Sequence, residues 1–313
     1  MIAAGLLVVG LVVLTIGAEF LVRGGAALAL RFNIRPLVVG LTVIAFGTSA
    51  PELAVSIKSA LAGQGDVAAG NVIGSNIFNI AAILGIAALI FPLAVHAKLV
   101  RYDIPLMVGV TVVAMVMMRD ASLSRLEGLL LVVALITYLV ATFRLSARED
   151  AAVEAEAGAE LPKPGRSALL EGMMILGGLA ALVIGADWFV RGAVDLARWF
   201  GLTEAVIGLT IVAVGTSLPE LATSVVASCR RHTDIAIGNV VGSNIFNILA
   251  IMGLTGIIHP FSTENILTID SWAMLFFAVL LFPLAATGFV LKRWEGAVLL
   301  FGYIGYVAYR LTI

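Results

Sequence analysis

Charge is what this sequence has least of. Asp, Glu, Lys and Arg together make up 12% of its 313 residues, against 61% hydrophobic residues and a mean hydropathy of +1.10. A soluble domain carries about 25% charged residues, so a water-soluble globular fold is excluded. Cysteine is nearly absent as well. Cys229 stands alone, which rules out an internal disulfide and carries no redox message. Histidine occurs three times, at His96, His232 and His259, each in a segment that reads as a loop. The net charge of −1 says nothing about partners. No basic n-region and no small-residue cleavage site follow Met1, so the first apolar segment is expected to be retained rather than removed as a signal.

What is present is oil, in long runs. Uncharged stretches such as 2–18 and 129–143 approach or reach the length that crosses a bilayer. The fold class expected is an all-α polytopic membrane protein. The chain also repeats itself. Shifted by 168 residues, Gly40 falls on Gly208, Glu52 on Glu220, Asp66 on Asp234 and Asn79 on Asn247, and 27 of the 46 positions in 40–85 are identical without a gap. Residues 1–145 form one copy and 169–313 the other. The acidic, Ala-rich stretch 146–168 between them, ending in Pro-Lys-Pro, reads as a mobile polar linker outside the membrane.

Each copy holds five hydrophobic segments, near 2–22, 36–62, 66–90, 102–118 and 124–144, then 169–190, 203–228, 234–258, 266–289 and 296–311. An odd number per copy sends the second into the membrane upside down. Ten transmembrane helices as two inverted five-helix repeats are therefore expected, with helices 2 and 7 broken. Alternate loops then divide the 19 Lys and Arg 13 to 5, with Lys58 inside a span. The richer side is assigned to the cytoplasm. The expected location is the cell (inner) membrane, with the linker cytoplasmic and both termini outside.

The chemistry lies where each copy breaks its own pattern. The stretch "FGTSAPELAVS" from Phe46 returns as "VGTSLPELATS" from Val214. Pro51 and Pro219 cannot donate to the carbonyls of Gly47 and Gly215, and freed carbonyls at membrane depth are tolerated only when buried in protein or lining a cavity. Beside them stand Thr48, Ser49 and Glu52, and in the second copy Thr216, Ser217 and Glu220. The following segments read "GNVIGSNIFN" and "GNVVGSNIFN", where Ser75 and Asn79, like Ser243 and Asn247, are four apart on one helical face. A Pro kink packed by glycines is the plainer account of one such motif. It does not account for an acid at mid-span, which costs about 2.5–3.5 kcal/mol on insertion scales, at matching positions of two inverted copies. The donors are all oxygen, which suits hard cations such as Ca2+ or Na+ and not Zn2+ or copper.

Other polar residues read as structural. Glu19–Arg23 and Asp187–Arg191 have the i,i+4 spacing of snorkelled ion pairs, and Asp66 and Asp234 read as helix N-caps. Asn76 and Asn244 are left open between helix packing and support of the site.

The paired "GTSAPE…GNVIGSNIFN" and "GTSLPE…GNVVGSNIFN" resemble the two alpha-repeats of the sodium/calcium exchanger family, within the cation/calcium exchanger superfamily, over essentially the whole chain outside the linker. The short linker is similar to that of prokaryotic members. The resemblance implies an antiporter, not an enzyme, needing no cofactor. Its substrates would be Ca2+ and Na+, and its surroundings the lipid bilayer, with no nucleic acid partner. It implies Glu52 and Glu220 as ligands shared by both ions, with the Thr48 and Thr216 carbonyls on Ca2+. The carbonyls of Ala45 and Ala213 and the hydroxyls of Ser49, Ser75, Ser217 and Ser243 would form flanking Na+ sites, and Asn79 and Asn247 would line the middle. Some relatives, potassium-dependent ones among them, carry Asp where this chain has Asn247, which argues against K+ dependence. Exchange of three Na+ for one Ca2+ follows from the same likeness. A Ca2+/H+ antiporter is the alternative coupling, and a cation channel the alternative of another class.

Overall fold

A computed structural model describes residues 2–32, 34–157, 167–200, 213–264, 266 and 268–312. Within them the backbone is almost wholly helical, as a chain with nothing but lipid around it must be if its amide groups are to be satisfied. The helices are α1 (Ile2–Arg31), α2 (Pro36–Thr48), α3 (Ala50–Leu61), α4 (Gly65–Ile90), α5 (Leu99–Asp120) and α6 (Arg125–Ala157). They continue as α7 (Ala168–Trp199), α8 (Leu218–Cys229), α9 (Thr233–Ile258), α10 (Thr268–Ala286) and α11 (Arg293–Arg310).

Seven described helices are long and apolar enough to cross a membrane, and the bent pair α2/α3 makes an eighth. The chain is a multi-pass helical membrane protein. Helix α11 has charges at both ends (Arg293, Glu295, Arg310) and stands outside that set. Helix α8 is 12 residues long. The first part of the expected span 203–228 lies outside the described residues, as do 158–166 of the linker.

Several ends differ from the expected ones. Helix α1 runs to Arg31 and α7 to Trp199, well past the apolar cores 2–22 and 169–190, and α6 continues beyond residue 145 to Ala157. Hydropathy marks the hydrocarbon slab; a helix continues past it wherever its polar residues favour one. Asp66 and Asp234 are not caps. Gln64 and His232 occupy those positions, and the acids sit in the first turns, where the helix dipole favours a negative charge.

Among the described residues four two-residue strands, β1 (Leu93–Ala94), β2 (Ser122–Leu123), β3 (Phe261–Ser262) and β4 (Val290–Leu291), form two antiparallel ladders. β1 pairs with β4 and β2 with β3, Leu93 facing Leu291 and Leu123 facing Phe261. Adding 168 to β1 and β2 gives β3 and β4, so each ladder joins one copy to the other.

The protein has a centre and a flank. The apolar stretches of α4 and α9 are 78% and 83% buried, whereas those of α1 and α7 are 33% buried. α1 and α7 lie backbone to backbone through glycines spaced by seven. A Cβ at Gly17 would stand 2.8 Å from the Leu182 nitrogen and 2.9 Å from the Gly178 oxygen. The bidentate pair of Arg31 with Glu171 (2.5 and 3.0 Å) joins the end of α1 to the start of α7. In the centre α2 lies equally close to α9, where a Cβ at Gly242 would meet the Leu41 oxygen at 2.6 Å. That closeness sets the motif of one copy against the motif of the other.

Candidate cation site

Both motif helices break where the sequence places Pro. α2 ends at Thr48 and α3 leaves at 43° to it, with Ser49 as the joint (φ −82°, ψ 6°) and Pro51 in the first turn of α3. Ser217 has nearly the same backbone (φ −89°, ψ 8°) ahead of Pro219 in α8. The first turn of a helix is where the missing N–H of Pro does least harm. A carboxylate three residues beyond the joint is thereby held at a helix N-terminus.

Glu52 and Glu220 are 1% and 0% exposed. Each takes a hydrogen bond from the serine of the opposite copy: Ser49 donates to Glu220 Oε1 at 2.8 Å and Ser217 to Glu52 Oε1 at 2.9 Å. The Ser75 hydroxyl lies 3.1 Å from that of Ser217. The second oxygens, Glu52 Oε2 and Glu220 Oε2, are buried with no hydrogen-bond partner. Among the described residues no Lys, Arg or His pairs with either acid.

The remaining expected residues lie in the same interior. Thr48, Ser243, Asn79, Asn247 and Ala45 are buried and Thr216 is half-buried. The Thr48 hydroxyl is 3.3 Å from the Ala45 carbonyl. Ala213 begins a short helical turn, Ala213–Gly215. Asn79 and Asn247 both fall in π-helical turns, Phe78–Ile83 and Asn247–Met252, an irregularity that redirects side chains and recurs at functional sites. Both polar atoms of Asn79, the Asn247 Oδ1 and the Ser243 Oγ are buried without a partner. Asn247 Nδ2 donates to Asn76 Oδ1 at 2.9 Å, so Asn76 holds Asn247, while Asn244 donates to the Val240 carbonyl of its own helix at 2.7 Å.

Two further pairs do not stand out in the sequence. Asn71 and Asn239 donate to the backbone oxygens of Glu52 and Glu220 (3.1 and 3.4 Å) and to Ser56 and Ser224 (2.9 and 3.0 Å). All four residues are identical between the copies, and that identity is the signal that could have marked them. The ion pairs at the flank are formed as expected, Glu19–Arg23 at 2.5 Å and Asp187–Arg191 at 3.0 Å, and Glu19 also takes Arg230 from the end of α8 at 2.8 Å.

Two buried carboxylates with unengaged oxygens and no protein cation are costly as they stand. Surrounded by hydroxyls, amides and carbonyls, they can take up a hard cation and release it. No group of three or more His, Cys, Asp or Glu placed to hold a metal ion exists among the described residues, so the donors beside the two acids are neutral oxygens. The sequence matches the family described as sodium/calcium exchanger protein over residues 2–144 and 171–312. The chain belongs to that family. The exchanger is 37% identical to the inner membrane protein YrbG of Escherichia coli K12, covering 91% of this chain and 88% of that one. It is 32% identical to the sodium/calcium exchanger MaX1 of Methanosarcina acetivorans over 96% of both chains. Its fold is similar to that of the sodium-calcium exchanger NCX_Mj solved with 10 mM Na+ and no Ca2+, with a TM-score of 0.85, 31% identity and 98% of each chain covered. It is a membrane antiporter of cations including Ca2+, not an enzyme.

Proposed function

We propose that the exchanger moves Ca2+ against Na+ by alternating access, three Na+ for each Ca2+, without K+ and without a cofactor. Glu52 and Glu220 hold Ca2+ with the carbonyls of Thr48 and Thr216. Na+ takes that position and two flanking ones built from the Ala45 and Ala213 carbonyls and the hydroxyls of Ser49, Ser75, Ser217 and Ser243, with Asn79 and Asn247 lining the middle. The observation that carries the reading is the reciprocal pair: each buried carboxylate is bonded to the opposite copy and keeps one oxygen unengaged.

The ten-helix inverted repeat belongs to this proposal. Supporting it are the reciprocal Ser–Glu bonds, the two equivalent strand ladders and the odd number of hydrophobic segments per copy. The basic asymmetry supports a cytoplasmic linker with both termini outside the cell membrane.

The deciding experiment is the flux of radiolabelled Ca2+ in proteoliposomes with Na+, K+ and pH varied separately. A Na+ gradient, and not a pH or K+ gradient, should drive uptake. Uptake driven by pH alone would make it a Ca2+/H+ antiporter, and flux unaffected by cation on the far side would make it a channel.

A further inference from the structure

We infer that Asn239 and Asn71 are positioning residues that direct the hydroxyl protons of Thr48 and Thr216 away from the exchanger's own helices, leaving the Ala45 carbonyl open to a cation. The inference rests on the reading of Glu52 and Glu220 as the cation-binding carboxylates.

A threonine in a helix ordinarily donates to a carbonyl one turn back. This chain does so repeatedly: Thr15, Thr42, Thr111, Thr137 and Thr287 each donate to the carbonyl four residues earlier at 2.6–2.8 Å. Thr48 departs from that habit. Its hydroxyl has one proton and two acceptors within 3.5 Å, the Ala45 carbonyl at 3.3 Å and Asn239 Oδ1 at 3.2 Å, and the Glu220 carboxylate also draws that proton from the far side of the site.

The Asn239 amide is held in one orientation. Its Nδ2 donates to the Glu220 carbonyl at 3.4 Å and to Ser224 at 3.0 Å, and a flipped amide would set Oδ1 against that carbonyl, oxygen to oxygen. Asn239 is 0% exposed, so no water competes for Oδ1. Asn239 Oδ1, on the side of the hydroxyl where the Glu220 carboxylate also draws it, therefore takes the Thr48 proton off the Ala45 carbonyl. The Ala45 carbonyl then keeps its bond from the Ser49 N–H at 3.1 Å and a second lone pair free for an ion.

The second copy repeats the amide contacts. Asn71 Nδ2 donates to the Glu52 carbonyl at 3.1 Å and to Ser56 at 2.9 Å, and its Oδ1 faces the Thr216 hydroxyl at 3.4 Å. Each Asn thus holds the carboxylate helix of its own copy and the threonine of the other. Loss of the acceptor returns the threonine proton to the helix carbonyl, where a Na+ ion needs an oxygen.

A double-mutant cycle in the full chain tests this. Na+ half-saturation and Ca2+ half-saturation are measured in proteoliposomes for wild type, Asn239→Leu, Thr48→Val and the pair. Asn239→Leu should raise the Na+ half-saturation about fivefold, the effect of one hydrogen bond, and the Ca2+ value by less than that, through the loosened Glu220 helix alone. In the Thr48→Val background, which has no proton to misplace, the Na+ shift caused by Asn239→Leu should shrink to the part due to its lost contacts with the Glu220 carbonyl and Ser224. An equal shift in both backgrounds would make Asn239 a packing residue and overturn the inference. Should Asn239→Leu fail to fold, Asn71→Leu with Thr216→Val reads the same cycle at the half-buried mate. Glu220→Gln is the control on the underlying reading: normal Na+ and Ca2+ responses there would mean the site is misassigned, whatever the cycle gives.

Discussion

Ser217 donates to Glu52 at 2.9 Å although 165 residues separate them, and Ser49 returns the bond to Glu220 at 2.8 Å. Neither half of the chain can complete its own carboxylate. A hydrogen bond to a charged group is worth about 1.5–3 kcal/mol, and each serine also keeps its acid pointed across the boundary. Ser217→Ala and Ser49→Ala should each weaken apparent Ca2+ affinity by about tenfold or more, read from the Ca2+ concentration that half-saturates uptake. Because the arrangement is reciprocal, the two losses should be of similar size. A large loss for one serine and none for the other would show that the acids do different work.

The acids themselves should be indispensable to transport and dispensable to folding. Removing a buried charge eases membrane insertion, and Gln keeps the shape and an oxygen. Glu52→Gln and Glu220→Gln should therefore reach the membrane in normal amounts, run as monodisperse protein and carry no Ca2+. Glu19→Gln, at the flank and already shared by Arg23 and Arg230, should change expression more than transport. Normal Ca2+ flux through Glu220→Gln would remove the carboxylate from the site.

The packing of α1 on α7 allows a stability prediction. Gly17→Leu must push a side chain into backbone atoms 2.8–2.9 Å from its own Cβ, so the helices must separate along their length. Overpacking of this kind costs about 1–3 kcal/mol. Thermal melting in detergent should fall by several degrees. Gly5→Leu, with nothing within 4 Å of the added Cβ, should melt like wild type.

Much of this is legible in the sequence because symmetry writes it twice. Glu52, Pro51 and their mates stand out by being wrong for an apolar helix, and the break they predict is there. The support for the site is harder to read. Asn71 and Ser56 look like ordinary helix polar residues until the fold brings Thr216 of the other copy against Asn71, a contact that no local pattern encodes. The strand pairs β1–β4 and β2–β3 are equally silent, since two residues carry no periodicity. Hydropathy misplaces helix ends wherever it stands in for helicity, as at Arg31, Trp199 and Ala157.

Orientation is checked with one thiol. In a Cys229→Ser background, Ala157→Cys at the end of α6 should react with a membrane-impermeant maleimide only from the cytoplasmic side, given the 13-to-5 division of basic residues. Labelling of intact cells from outside would invert the orientation and leave the repeat as it is.

The last prediction follows from charge. With amides at Asn79 and Asn247, the acids of the site are Glu52 and Glu220, a total of −2 when both are ionised. An empty site is then doubly negative within the membrane, and carrying it past an apolar barrier is unfavourable by several kcal/mol. One Ca2+ brings the sum to zero, two Na+ do the same, and three Na+ leave +1. Ca2+ efflux should therefore require a cation on the far side. With three Na+ the exchange moves one net positive charge, so a valinomycin-set potential should speed or slow it according to sign. Exchange coupled to Na+ but indifferent to potential would point to two. Asn247→Asp adds a third acid, and it does so where Asn247 Nδ2 now donates to Asn76 Oδ1 at 2.9 Å. Asp in that place sets oxygen against oxygen unless it carries a proton or the Asn76 amide turns over. Transport by Asn247→Asp should accordingly become pH-sensitive across a range where the wild type is flat, and a flat profile would mean that Asn76 had turned to accommodate the charge.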